Sequence, residues 1–192
     1  MSVLPPIILT PADADWPARL TERLGDAAPS ALHAIGPVSL LAEHKTALFC
    51  SIRTPGDAIL RALDTARRLR DEGATVISGF HSPIEAECLR ILLRGKQPIL
   101  VCLGRAMCPG AARAGMRIPS ACRAAFDAGR VLFLSPFAES PKRVTKASAA
   151  RRNEVVAALA DAVFLAHVAP GGQTAGMAEL LKRWGVPVLP AE

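Results

Sequence analysis

At 192 residues and 51% apolar content, the chain can build one domain of ordinary size around a sizeable core, which excludes a disordered polypeptide. No apolar run approaches the roughly 20 residues needed to cross a bilayer, and Val3 to Leu9 is broken by Pro5 and Pro6 with no basic residue ahead of it, so no signal peptide is read. The net charge of +6 is uneven: residues 1 to 44 hold two Arg against five Asp/Glu, leaving 21 basic against 12 acidic residues, a balance of +9, in the rest.

Such asymmetry suggests an anionic partner, nucleic acid or nucleotide first, against the plainer alternative of a basic solvated surface. Cys50, Cys88, Cys102, Cys108 and Cys122 are odd in number and form no CxxC or CxH pair, so reduced structural thiols are expected rather than a zinc site. The expectation is a soluble cytoplasmic protein with no membrane partner, no metal and no cofactor.

In chain order, residues 1 to 44 have Pro-rich ends and one short amphipathic stretch, Trp16 to Leu24. They read as a small cap on a main domain spanning residues 45 to 192. From there, Thr46 to Ile52, Thr75 to Ser78, Ile99 to Leu103, Val131 to Ser135, Ala162 to Ala166 and Val186 to Leu189 read as buried strands. Between them Gly56 to Asp71, Pro83 to Arg94, Pro119 to Ala128, Ser148 to Ala160 and Thr174 to Trp184 read as helices. Gly104 to Ile118 is a long connection. The alternation predicts an α/β fold: an extended Rossmann-like, doubly wound, mostly parallel sheet with helices on both faces.

Ligands of such sheets bind beyond the carboxyl ends of the strands. The loops there hold Arg53, then Ser78, Gly79 and His81, and finally Gly171, Gly172, Gln173 and Thr174, several of them at helix starts that favour phosphate. Neither a dinucleotide fingerprint nor a Walker A loop occurs. The glycines suit a phosphate cradle or merely tight turns. Lys142, Arg143, Lys146, Arg151 and Arg152 form a run with no acidic residue; Arg151, Arg152 and Asn153 are expected in the first turn of a helix, where positive charge opposes the helix dipole unless an anion is near. His81 and Glu85 fit an acid–base pair, or a polar contact and a first-turn dipole partner. Phe80 and Phe137 are placed to stack a base, or to cover the core.

The segments Trp16 to Leu20, Thr46 to Arg53, Val76-Ile77-Ser78-Gly79, Arg151 to Leu159 and Gly172-Gln173-Thr174 resemble, in order, the landmarks of the DprA/Smf family of DNA-processing proteins, over nearly the whole chain. Ser78 to Glu85, continued by Leu92 to Pro98, resembles its compact members without a winged-helix tail. The resemblance implies a Rossmann-like homodimer that binds single-stranded DNA in a basic pocket and hands it to a RecA-type recombinase during natural transformation. It places Arg53 at the family's Gly-Ser-Arg arginine, Arg151, Arg152 and Asn153 at its Arg-Asn motif, and Thr174 near a serine of its Ser-Gly-Ser loop. Ser51 and Ile52 depart from that pattern, as does His81-Ser82-Pro83.

A second resemblance is to LOG-like nucleotide phosphoribohydrolases, whose Pro-Gly-Gly-x-Gly-Thr-x-x-Glu loop aims a Glu at a glycosidic bond. Here Glu179 lies five residues beyond Thr174 instead of three, a difference of roughly 160° around a helix from the 3.6-residue turn. The reading is a non-enzymatic binder of single-stranded DNA or nucleotide phosphate; a hydrolase using Glu85 or Glu179 and a nucleotide-signal sensor are the alternatives.

Overall fold

Side chains alternate in direction along a strand, and in this protein both faces of that alternation are apolar. Ala47 and Phe49, Ile77, Leu100 and Cys102, Leu132 and Leu134, and Val163 and Leu165 belong to one core cluster. Their neighbours Leu48 and Cys50, Val76, Ile99 and Val101, Val131 and Phe133, and Phe164 belong to the other. A sheet buried on both faces needs helices on both, which gives three layers. The computed structural model describes residues 3–51, 54–107, 115–168 and 173–190.

The parallel part is β3 (Lys45–Phe49), β4 (Thr75–Ser78), β5 (Ile99–Cys102), β6 (Val131–Ser135) and β7 (Ala162–Leu165), joined through α2 (Gly56–Asp71), α3 (Pro83–Leu93), α4 (Arg123–Asp127) and α5 (Lys146–Leu159) and followed by α6 (Gln173–Arg183). The expected α/β, mostly parallel sheet is thus present. Helix α5 contributes Val155 to Leu159 to the first core, while α2 and α3 supply Ala62, Ala66, Cys88 and Leu92 to the second. Cys50, Cys88, Cys102 and Cys122 are free and buried. Burial pushes the thiols of Cys88 and Cys102 up to about 12, which makes them inert packing groups.

Two features depart from the sequence expectation. Residues 1 to 44 do more than cover the domain: β2 (Leu32–Ile35) pairs antiparallel with β6 and β1 (Ile7–Leu9) antiparallel with β2, giving the order β1-β2-β6-β5-β4-β3-β7. The predicted strand Val186 to Leu189 is reduced to a single bridge, Val163 with Val188. Pro187 and Pro190 lack the N–H groups that a longer ladder would use.

The N-terminal segment is also pinned at the amino end of the sheet. From α1 (Ala18–Leu24), Arg23 Nη1 donates to the carbonyls of Ala158 (2.9 Å) and Ala160 (2.6 Å), meeting the negative end of the α5 dipole. Arg19 pairs with Asp161 at 2.5 Å, and Asp161 also accepts from the Lys45 backbone N–H at 2.8 Å. The Lys45 side chain is 1% exposed; its ammonium donates to the carbonyls of Leu41 and Glu43.

Candidate phosphate-binding site

From β3 the chain adds β4, β5 and β6 on one side, and then returns to place β7 on the other. The crevice between β3 and β7 is therefore the switch point of the sheet. A cavity of about 780 Å³ opens there. Phe49, Cys50 and Leu165 lie at the strand ends; Lys146, Ala149, Arg152, Asn153 and Glu154 of α5, Glu85 of α3, and Thr174, Met177 and Leu180 of α6 are among the residues that form the walls.

Arg152 is the unusual group in it. The residue is 4% exposed, yet no carboxylate pairs with it among the described residues. Its Nε donates to Asn153 Oδ1 at 2.7 Å and its Nη1 to the Cys102 carbonyl at 3.4 Å, both neutral acceptors. The guanidinium lies directly on the backbone of Gly79: a Cβ there would sit 1.6 Å from Nη1 and 2.0 Å from Cζ. Burying an uncompensated charge is costly. An anion entering the cavity would meet a cation already stripped of water and held in place.

The residues around Gly79 are a rigid frame. Ser78 is fully buried, and its hydroxyl donates to the Leu48 carbonyl at 2.6 Å, so it links β4 to β3 and does not line the cavity. Phe80 has φ 47, a strained conformation for an aromatic residue and one held only where its surroundings fix it. His81 is exposed at the cavity rim. Ser82 caps α3 in a capping box with Glu85. Glu85, 6% exposed, accepts from the backbone N–H groups of Cys50 (3.1 Å), His81 (2.9 Å) and Ser82 (3.4 Å). It serves as the first-turn partner and ties the end of β3 to the start of α3.

The basic run does not act as one surface. Helix α5 starts at Lys146, capped by Thr145 in a capping box with Ser148. Arg151, Arg152 and Asn153 consequently fall in its second turn instead of the first, and only Lys146 opposes the dipole from the first turn. Arg151 is not part of the cavity lining: it donates to the Ala27 carbonyl of the N-terminal segment and pairs at 3.0 Å with Glu154, which does line the cavity. Lys142 and Arg143 are exposed on the loop before α5, outside the cavity wall. Elsewhere the arginines of α2, α3 and α4 are matched locally, as in Arg61 with Asp57, Arg67 with Asp64 and Arg90 with Glu87. Lys142, Arg143, Lys146 and Arg152 have no ion-pair partner among the described residues, so the start of α5 and the loop before it carry uncompensated positive charge, as Arg94, Lys96, Arg105, Arg117, Arg130, Lys182 and Arg183 do elsewhere.

Thr174 reaches the cavity from the first turn of α6, and Gln173 is that helix's first residue. Arg53, Gly171 and Gly172 lie outside the described residues. Glu179 is exposed, whereas Met177 and Leu180 on the same helix line the cavity. Those two were not singled out from sequence, nor was Cys50; spacing of three and six from Thr174 is the signal that marks the α6 pair.

The sequence profile of the family described as DNA recombination-mediator protein A matches residues 7–183. In fold the chain is similar to DNA processing protein A from Streptococcus pneumoniae, with TM-score 0.73 and 20% identity over 95% of this chain and 61% of that one. It is also similar to DNA processing protein A from Helicobacter pylori, whose structure addresses its single-stranded DNA binding mode, with TM-score 0.70 and 21% identity over 94% of this chain and 79% of that one. The chain thus spans about three-fifths of the pneumococcal protein's length. No curated protein matches the sequence. Among the described residues, no helix is long and apolar enough to cross a membrane.

Proposed function

We propose that this chain, which belongs to the DNA recombination-mediator protein A family, binds the phosphates of single-stranded DNA in the switch-point cavity. Arg152 carries the reading: a buried guanidinium whose hydrogen-bond acceptors among the described residues are both neutral is balanced when a phosphate arrives. Asn153, Lys146, His81 and Thr174 surround the same space. Lys142 and Arg143, exposed on the loop before α5, add positive charge to that side of the protein, and Arg53, Gly171, Gly172 and Gln173 are proposed as further phosphate contacts from their positions in the sequence alone. A polymer suits this protein better than a mononucleotide, because the +9 balance of residues 45 to 192 exceeds the charge of one phosphate.

The protein grips without cutting. A hydrolase needs a carboxylate free to move a proton, but of the two that line the cavity Glu85 is occupied by three backbone N–H groups and Glu154 is paired with Arg151, while Glu179 faces solvent. Homodimerisation, transfer of the strand to a RecA-type recombinase and a cytoplasmic location extend this reading from the family. The division into a 1–44 extension and a 45–192 Rossmann-like domain is proposed from composition, with the extension supplying the edge strands β1 and β2 of the domain's sheet.

Fluorescence anisotropy with labelled oligo-dT tests the reading, alongside chromatography of nucleoside monophosphates incubated with the protein. Oligo-dT binding that drops at least tenfold in Arg152→Gln, with no free base released, supports it. Absence of oligo-dT binding, or release of base that is lost in Glu85→Gln, overturns it.

A further inference from the structure

Helix α5 is gripped by the N-terminal segment at two levels. The last carbonyls of a helix have no partner within it, and α5 carries no basic residue of its own in that turn. Two arginines of α1 supply the donors: Arg23 to Ala158 and Ala160, and Arg19 to Leu159 at 3.3 Å. Nearer the start of α5 the direction of donation reverses, and Arg151 donates to the Ala27 carbonyl, just past α1. Residues 19 to 27 therefore run antiparallel along α5, with Leu20 fully buried in the same core cluster as Val155, Val156 and Leu159.

We infer that this clamp positions the binding group: Arg19, Arg23 and Arg151 fix the rotation and axial setting of α5 and so hold the Arg152 guanidinium over Gly79. The inference rests on the phosphate-binding reading and adds to it the residues that act through Arg152. Three observations carry it. The contacts at 151 and at 158 to 160 are about 10–14 Å apart along the helix at 1.5 Å per residue, so together they oppose both sliding and turning. Arg151 and Arg152 are consecutive, about 100° apart around the helix, so tying the first to Ala27 sets the direction of the second. Finally, the hydrogen bond from Arg152 to the sheet, at the Cys102 carbonyl, is long at 3.4 Å, and its other acceptor, Asn153, moves with the same helix. The guanidinium is therefore placed by the setting of α5 more than by its own bonds.

The test is a mutant cycle on the full chain, read by oligo-dT anisotropy, with melting curves to establish that each variant is folded. Arg23→Met keeps the apolar stem and removes the donors; Arg23→Lys restores a cation at the same carbonyls. Arg23→Met should weaken binding about fivefold, Arg23→Lys should recover most of that loss, and Arg23→Met added to Arg152→Gln should weaken binding no further. A merely structural role would lower the melting temperature and leave the affinity of the folded protein unchanged, which overturns the inference. So does an equal loss with and without Arg152, the mark of a missing charge instead of a misplaced guanidinium. Where Arg23→Met does not fold, Arg19→Met, which leaves Asp161 its bond from the Lys45 backbone, takes its place in the cycle with the same outcomes. Wild-type protein without oligo-dT affinity, or Arg152→Gln that binds as wild type does, overturns the phosphate reading and takes this inference with it.

Discussion

The guanidinium of Arg152 occupies the space that a side chain at Gly79 would fill, with Nη1 1.6 Å from an ideal Cβ position. Gly79 is not in the left-handed region, so its backbone accepts alanine; what alanine displaces is the arginine. Gly79→Ala should therefore cost little stability, about 1 kcal/mol or less by the usual range for substitutions without core loss, while oligo-dT affinity falls tenfold or more. Denaturant titration and anisotropy on the same preparation check this. Unchanged affinity would show that the position of Arg152 does not matter for binding.

Glu85 makes the opposite prediction. Its carboxylate accepts three backbone N–H bonds between β3 and α3, and an amide would turn a donor toward one of them. Glu85→Gln should lower unfolding stability by about 1–3 kcal/mol, the cost of leaving a buried polar group unmatched. Urea unfolding measures the loss; a variant as stable as wild type would mean that the carboxylate is free.

At Glu179 nothing should change. The side chain is exposed and outside the cavity wall, so Glu179→Gln should leave stability within about 0.5 kcal/mol and oligo-dT affinity unaltered. A clear loss of binding in this variant would place α6 in a different rotation.

Lys45 predicts a pH effect. Burial is the main cause that lowers its ammonium from 10.5 to about 8, against the nearby Asp161 carboxylate. The folded state then gives up the proton before the unfolded chain does. Below about pH 8 both states carry it and the burial cost is complete; between about 8 and 10.5 the unfolded state binds more protons, so stability rises with pH. The stability of wild type relative to Lys45→Met should shift in favour of wild type between pH 7 and pH 10. A constant offset in urea unfolding across that range would contradict it.

The parallel strands were legible because each carries two or more consecutive apolar residues buried on both faces, as in Ile99 to Cys102. Strands β1 and β2 were not. β1 is three residues long with Ile7 and Ile8 half exposed, β2 is interrupted by His33, and nothing local in Val131 to Ser135 tells that its second neighbour will be antiparallel. Among site residues, the basic run looked uniform from Lys142 to Arg152. Consecutive helix positions differ by about 100°, which is enough to send Arg151 to the N-terminal segment and Arg152 into the interior. The glycine after β4 was visible, but its partner 73 positions later was not. Ser82-Pro83-Ile84-Glu85 carries a Ser-x-x-Glu capping pattern, and reading it as such assigns Glu85 its structural place from sequence alone.

The most direct measurement is the salt dependence of oligo-dT binding. For single strands the slope of log K against log salt is about −0.7 per neutralised phosphate. Wild type should show a steep slope spanning several phosphates, and Lys146→Ala, at the cavity wall, should flatten it by about 0.7, while Arg67→Ala, already paired with Asp64, should leave it alone. A binding constant indifferent to salt, or equal slopes in the wild type and Lys146→Ala, would contradict a phosphate site at the switch point.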